Sequence, residues 1–205
     1  MYKNKIIVFE GIDCAGKSTH ITHVAKLLKF KKISFLKLRE PGGSQNSEKI
    51  RRLLMNKKSN FNKKTDLLLY LASRSENFEK ILNKKIQAKV ILMDRFTDST
   101  MAYQHYAMGL DRNIINILNN FVLKKNKPFY TFVSTVNKKN LIKRLKKRKK
   151  NNRYDLFNLN FYEKAQKGFI KIAKKSKKHL IIDSNQPLKN NIKSIEKKLI
   201  ELKLI

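Results

Sequence analysis

The sequence predicts an α/β protein, a five-stranded parallel sheet flanked by helices in three layers. Strand-length apolar runs alternate with stretches of helical periodicity from one end of the chain to the other, the pattern of a parallel sheet covered on both faces. Runs such as IIVF and VILM read as buried strands. No Pro- or Ser-rich linker and no repeat divides the 205 residues, so a single domain over 1–205 is expected.

The first strand is KIIVFE at 5–10, closed by Gly11. A helix follows from Lys17 to about Phe30, with Ile21, Val24, Ala25 and Leu28 on its apolar face. Residues 33–38 alternate as a strand, and the turn REPGG at 39–43 ends it. Helices are expected at about 47–55 and 65–85, a third strand at 90–94, and helices near 99–106 and 113–123. The fourth strand is 129–133, then a helix from 137 runs into the basic stretch 143–150. A helix at 159–175, a fifth strand at 179–183 and a helix at 188–202 close the chain.

The formal net charge of +33 would ordinarily suggest nucleic acid. Only nine of the 48 basic residues are Arg, however, and the lysines are spread along the whole chain. Lys, Asn and Ile share A/T-rich codons, so genomic composition can supply this pattern, and a nucleic-acid partner is not expected. A basic surface still steers anionic substrates. The single cysteine, Cys14, excludes an intramolecular disulfide and fits a reducing compartment. No apolar run approaches the roughly 20 residues of a spanning helix. The first apolar run is too short for a signal-peptide core, so a cytoplasmic location without a membrane partner is expected.

Residues 11–18 read GIDCAGKS and match G-x-x-x-x-G-K-[ST], with a strand before and a helix after. Gly11 and Gly16 let the backbone curl until successive N–H groups face one point, an anion site at a helix N-terminus. Lys17 then reaches the β and γ phosphates of a nucleotide, and the Ser18 hydroxyl ligates the Mg²⁺ that bridges them. Gly11, Ile12, Asp13, Cys14, Ala15, Gly16, Lys17, Ser18 and Thr19 are the expected ATP contacts. Cys14 is either a reactive thiol at a helix N-terminus or a small filler of the loop. The cradle identifies a donor and leaves the acceptor open: motor ATPases, GTPases and small-molecule kinases share it. The GTPase signature N-K-x-D does not follow it.

Two further stretches close strands on the same expected edge, where open α/β sheets bind ligands: REPGG at 39–43 and DRFTDS at 94–99. Arg39 and Arg95 there offer planar grips on a phosphate. Asp94 ends an apolar strand, either as a metal ligand or as an anchor for Arg95.

Taken in order, G-x-D-x-A-G-K-S-T, R-E-P-G-G and D-R-F-x-x-S resemble the thymidylate kinases of the bacterial type. The likeness extends to YLASR at 70–74, STMAYQ at 99–104 and DSNQP at 183–187, and so to essentially the whole chain. The resemblance implies a P-loop kinase fold with a short basic lid at about 143–156. It also implies transfer of the γ-phosphoryl of ATP, with Mg²⁺, to dTMP for dTTP synthesis, and a homodimer. Asp13 would accept from the sugar 3′-hydroxyl and help Ser18 and Asp94 place the metal. Arg95 would hold the dTMP phosphate, with Arg39, Glu40 and Pro41 nearby and Ser99 beside it. Tyr70 would stack on thymine, Arg74 would donate to a thymine carbonyl, Thr100 and Gln104 would read the base edge, and Tyr103 would crowd the 2′ position.

Some thymidylate kinases carry an Arg within the cradle where this chain has Cys14. The transition-state charge would then come from the lid, from Arg153 and Arg148, with Arg144 a weaker candidate. The family's lid reads Asp-Arg-hydrophobic-Glu, and here it is Asn152-Arg153-Tyr154-Asp155. Both acidic flanks are altered, so the sequence does not show what would hold Arg153 in place. The alternative from another class is a nucleic-acid-binding ATPase, which DNA-stimulated ATP hydrolysis would reveal.

Overall fold

Strand β1 (Lys5–Glu10) lies at the centre of a five-stranded parallel sheet of order β2-β3-β1-β4-β5. The computed structural model describes residues 5–82, 88–124, 126–148 and 152–205. The other strands are β2 (Phe35–Arg39), β3 (Val90–Asp94), β4 (Tyr130–Thr135) and β5 (His179–Asp183). A central strand explains the unbroken run IIVF. Alternate side chains point to opposite faces, and here each face has its own core. Ile7 and Phe9 pack with Ile21, Val24 and Leu28 of α1 (Lys17–Phe30) and with Ile195 and Leu199 of α8 (Leu188–Glu201). Ile6 and Val8 pack on the other side with Phe78, Phe96 and Leu123. Burying each such side chain contributes about 1.5–3 kcal/mol. β2 and β5 are the edges and are correspondingly less buried.

The remaining helices are α2 (Gln45–Met55), α3 (Lys63–Asn77), α4 (Thr97–Thr100), α5 (Arg112–Leu123), α6 (Lys138–Lys147) and α7 (Leu159–Lys174). Except at α4, their starts are set by side-chain caps. The side chains of Ser44, Asn62, Asp111, Asn137 and Asn158 each accept from a backbone N–H of the first turn. These caps move α2 and α3 two residues ahead of the periodicity-based starts, because the apolar stripe begins after the first turn.

Four differences from the sequence reading matter for the site. Arg39 is the last residue of β2 rather than part of the turn. α3 passes into a wider π-type turn at Phe78–Leu82, and the rest of the segment expected to be helical, 83–85, lies outside the described residues. α4 widens in the same way at Met101–Ala107. Between α6 and α7 a single 3₁₀ turn, Arg153–Leu156, was not expected. Asn152 and Asp155 build it as a reciprocal capping box, so the two altered flanks of the lid motif have a local structural role. Residues 149–151 of the basic stretch lie outside the described residues.

Candidate active site

The carboxyl ends of β1, β3 and β4 meet at one edge of the sheet, and the segment after β1 forms the cradle. At Gly11 φ is +129°, and a Cβ there would come 2.2 Å from the Ser134 carbonyl oxygen of β4. Only glycine fits this close approach of two backbones. Gly16, at φ +93°, starts α1. The Lys17 ammonium donates to the carbonyls of Gly11 at 3.0 Å and Ile12 at 2.8 Å. Burial, with the nearby Arg95 charge, pulls Lys17 down to about 8 against the opposing pull of Asp13, Asp94 and Glu10.

The cradle opens into a cavity of about 750 Å³ lined by Lys17, Ser18, Asp94, Arg95, Arg144 and Arg148, among others. Arg144 donates to the carbonyls of Cys14 (3.0 Å) and Ser184 (2.7 Å), and so ties α6 to the cradle and to the loop after β5. His20 also lines this cavity, but its Nδ1 is 3.1 Å from Ser134 Oγ, and it serves packing between α1 and β4.

A second cavity of about 90 Å³ adjoins the first and shares Asp13, Glu40, Arg51, Arg95 and Arg148 with it. Its remaining lining includes Pro41, Tyr70, Arg74, Ser99, Thr100, Tyr103 and Gln104. The fold thus gathers every expected acceptor residue except Arg39 around one small pocket. Arg39 lines only the larger cavity. It is 54% exposed and grips both Glu48 oxygens at 3.0 Å. As built, it is a surface ion pair, not a phosphate grip.

Arg74 is buried, with Nε and Nη2 on Glu40 Oε2 at 2.8 and 2.7 Å and Nη1 on Asn119. Burial raises the Glu40 carboxyl, and Arg74 opposes that shift. In this arrangement Arg74 holds the Glu40–Pro41 turn, whose peptide bond is cis. Gln104 has a buried Nε2 without a hydrogen-bond partner among the described residues, and it lines the small pocket.

Arg95 sits at the junction of the two cavities in a left-handed conformation, φ 71°. Such a backbone costs a non-glycine residue of order 1–3 kcal/mol and persists only where its surroundings enforce it. Here the Arg95 N–H donates to Phe9 at 3.0 Å. The guanidinium donates to the Gly11 carbonyl (3.0 Å) and Ser99 Oγ (3.2 Å), and Nη2 lies 3.0 Å from Asp13 Oδ1. Arg148 reaches the same Asp13 oxygen at 3.3 Å, while Tyr103 donates to Oδ2 at 3.2 Å. Burial alone would raise Asp13, but Arg95, Lys17 and Arg148 outweigh it and hold the carboxyl well below the usual carboxylate range.

These contacts correct two expectations. Both Asp13 oxygens already accept from protein donors, so Asp94, with an oxygen lacking a hydrogen-bond partner among the described residues, is the better-placed metal ligand. Arg153 does not join the cradle: its Nη2 pairs with Asp66 of α3, and it lines a separate cavity beside Phe61 and Phe157. The buried Asp66 carboxylate draws Arg153 inward and leaves Arg148, on Asp13, and Arg144, on the Cys14 carbonyl, as the lid arginines at the cradle.

For Mg²⁺ the remaining candidates fit. Asp94 Oδ1 is buried without a hydrogen-bond partner among the described residues, and Asp94 and Ser18 line the same cavity. No group of three or more His, Cys, Asp or Glu side chains able to hold a metal occurs among the described residues. A cation held by Asp94 and Ser18 would share its coordination with phosphate and water oxygens, as Mg²⁺ does.

Two residues of the site escaped the sequence reading. Glu10 closes β1, fully buried. Its Oε1 accepts from the N–H groups of Phe96 (2.7 Å) and Ser99 (3.1 Å), and its Oε2 from Ser99 Oγ (2.6 Å). α4 has no side-chain cap of its own, and Glu10 supplies one from another strand. Burial and the Asp98 charge push Glu10 up to about 7 against the lowering by Ser99, Arg95 and Phe96. Its signal was a carboxylate ending an apolar strand. Arg51 of α2 donates to the Pro41 carbonyl at 2.6 Å and lines both cavities. One Arg in a basic helix carries no signal that separates it from its neighbours.

Comparison with known proteins gives the family. The family model described as "Thymidylate kinase" matches residues 9–195. The chain is 37% identical over 204 residues to a thymidylate kinase of Onion yellows phytoplasma (strain OY-M), covering 96% of this chain and 97% of that protein. It is 36% identical over 191 residues to one from Geobacillus sp. (strain WCH70), covering 91% of each. A crystal structure of thymidylate kinase from Ehrlichia chaffeensis superposes with a TM-score of 0.74 at 30% identity, over 98% of this chain and 99% of that one.

Proposed function

Because the chain belongs to the thymidylate kinase family, we propose that it transfers the γ-phosphoryl of ATP to dTMP, giving dTDP and ADP. The observation that carries this reading is the convergence of Arg95 and Arg148 on Asp13, where the large cavity meets the small one and with the Lys17 charge close by. A phosphoryl group in flight between two phosphates needs alignment and positive charge at such a junction.

The cradle N–H groups and Lys17 hold the donor phosphates. Arg95 and Arg51 face the acceptor phosphate. An oxygen of dTMP phosphate bonds to the γ-phosphorus as the bond to the β–γ bridging oxygen breaks, and that electron pair leaves with ADP. The attacking oxygen is already anionic, so no side chain needs to act as base. Mg²⁺, held by Ser18 and Asp94 together with the nucleotide, would neutralise charge on the β and γ phosphates. Arg148 supplies the protein's cation on the transferring group. Tyr70, Thr100 and Gln104 present a ring, a hydroxyl and an amide to the base. Tyr103, fixed by its bond to Asp13, would crowd the sugar 2′ position and disfavour a ribonucleotide.

A homodimer is part of this reading. Ile114, Ile117 and Phe121 form one exposed stripe of α5 at helical spacing, and Leu68 of the adjoining α3 is exposed as well. Pairing of this face with a second copy would cover it, and sedimentation of a Phe121→Asp variant as a monomer would support that. No helix among the described residues is long and apolar enough to cross a membrane. The lone cysteine and the nucleotide substrates support a cytoplasmic location.

The test of the substrate is a coupled ADP-release assay with a panel of nucleoside monophosphates. dTMP is expected to be the best acceptor. Preference for another monophosphate, or DNA-stimulated ATP hydrolysis without transfer, would overturn it.

A further inference from the structure

Asp66 has no part in the chemistry above, yet it is 2% exposed and both of its oxygens are engaged. It lies on α3 one turn before Tyr70, on the same helix face. Oδ1 accepts from Arg153 Nη2, and Oδ2 accepts from the Tyr154 hydroxyl at 3.1 Å. Arg153 and Tyr154 are themselves 8% and 6% exposed. The 3₁₀ turn that carries them therefore docks on α3 through a buried ion pair and a buried hydroxyl.

What the turn then presents is specific. With its hydroxyl anchored, the Tyr154 ring stands edge-on to Tyr70 at 6.1 Å and to Tyr103 at 6.4 Å, and so walls the acceptor pocket. The next residue, Asp155, lies 3.1 Å from Arg148, which reaches Asp13 at 3.3 Å. Three consecutive residues thus face α3, the acceptor pocket and the cradle arginine. A shift of the turn would move the pocket wall and Arg148 together.

We propose that Asp66 is a positioning residue, a latch that fastens the 153–156 turn to α3 and so sets the Tyr154 wall and Arg148 in fixed relation to the acceptor. The proposal rests on the thymidylate kinase reading. Arg153 acts through Asp66 rather than on phosphate. Correct seating of the acceptor against Tyr70 and Tyr154 is thereby coupled to the placement of Arg148.

The experiment compares wild type with Asp66→Asn, Asp66→Glu, Arg153→Met and the double variant Asp66→Asn/Arg153→Met. It measures kcat and KM for dTMP, affinity for a fluorescent ATP analogue, and thermal unfolding. Asp66→Asn is expected to raise KM for dTMP and lower kcat, each by about tenfold or more, and to leave analogue affinity within about twofold. Asp66→Glu recovers part of the loss. The double variant is expected to be no worse than the worse single one, because one contact can be removed only once. Asp66→Asn leaves a buried guanidinium without its counter-charge. If that variant does not fold, the double variant, which buries no charge, is expected to show the same tenfold changes. Unchanged KM and kcat in folded variants, or a kcat that merely tracks the folded fraction, overturns the latch. A wild type that prefers another nucleoside monophosphate overturns the substrate reading instead, and the same variants then test the latch with that acceptor.

Discussion

Arg148 lies 3.3 Å from Asp13, so a lid residue and the carboxylate of the cradle are joined across 135 residues of sequence. Asp155 lies 3.1 Å from the same Arg148 nitrogen, Nη1. In the proposed reaction Arg148, held by these two carboxylates, is the cation that a cradle with Cys14 lacks.

Arg148→Ala is expected to lower kcat by about 10²–10³-fold with little change in KM for dTMP, the signature of a group that acts on the transition state. Arg153→Ala should instead raise KM and lower thermal stability, because its partner is the buried Asp66. Equal kcat losses with unchanged KM in both variants would put both arginines on the phosphoryl group.

Lys17 is the group whose protonation ties nucleotide affinity to pH. Burial lowers it to about 8, so the free enzyme loses this charge as pH rises through 8. Phosphate oxygens favour the ammonium form, so binding must take up protons in that range. Calorimetric titration of ADP at pH 8, in buffers of different ionisation enthalpy, should show proton uptake and an affinity that falls toward pH 9. Proton uptake should be absent at pH 6.

Glu10 is shifted the other way, upward, and its linkage is to folding. Its folded value of about 7 lies above the ordinary 4.5, so the folded state binds the extra proton between those limits. Stability from this group is full below 4.5 and is lost as pH rises through 7. In urea unfolding, the difference between wild type and Glu10→Gln should therefore shift against the wild type between pH 5 and pH 8. A pH-independent difference would show that Glu10 is ionised throughout.

Gly11→Ala should abolish nucleotide binding and cost several kcal/mol of stability. Its Cβ would meet the Ser134 carbonyl oxygen at 2.2 Å, and backbone cannot step aside as a side-chain tip can. A folded, active Gly11→Ala enzyme would show that β1 and β4 part more easily than their pairing implies.

The strands were legible because a central parallel strand buries both faces, so KIIVFE and VILMD read as apolar runs whatever surrounds them. The cradle was legible because phosphate binding by backbone N–H groups needs glycines at fixed spacing. Two helix starts were less so, since Ser44 and Asn62 cap from outside the apolar stripe. The π-type widening after Asn77 and Thr100 left no mark in the periodicity.

By itself the sequence determined the fold class, the donor cradle, the family and the set of side chains that would surround an acceptor. The fold class and the cradle follow from period and glycine spacing; the family and the acceptor set follow from the resemblance of the ordered motifs to thymidylate kinases. Only the tertiary structure decided what those side chains hold. Arg39, Arg95, Arg148 and Arg153 are alike in sequence, each a guanidinium near a turn. Their roles diverge because the nearest carboxylate differs: Glu48 at the surface, Asp13 at the cavity junction, Asp13 with Asp155, and the buried Asp66. A charge is placed by the partner it can reach at low dielectric, and that partner is a long-range fact that no window of sequence contains.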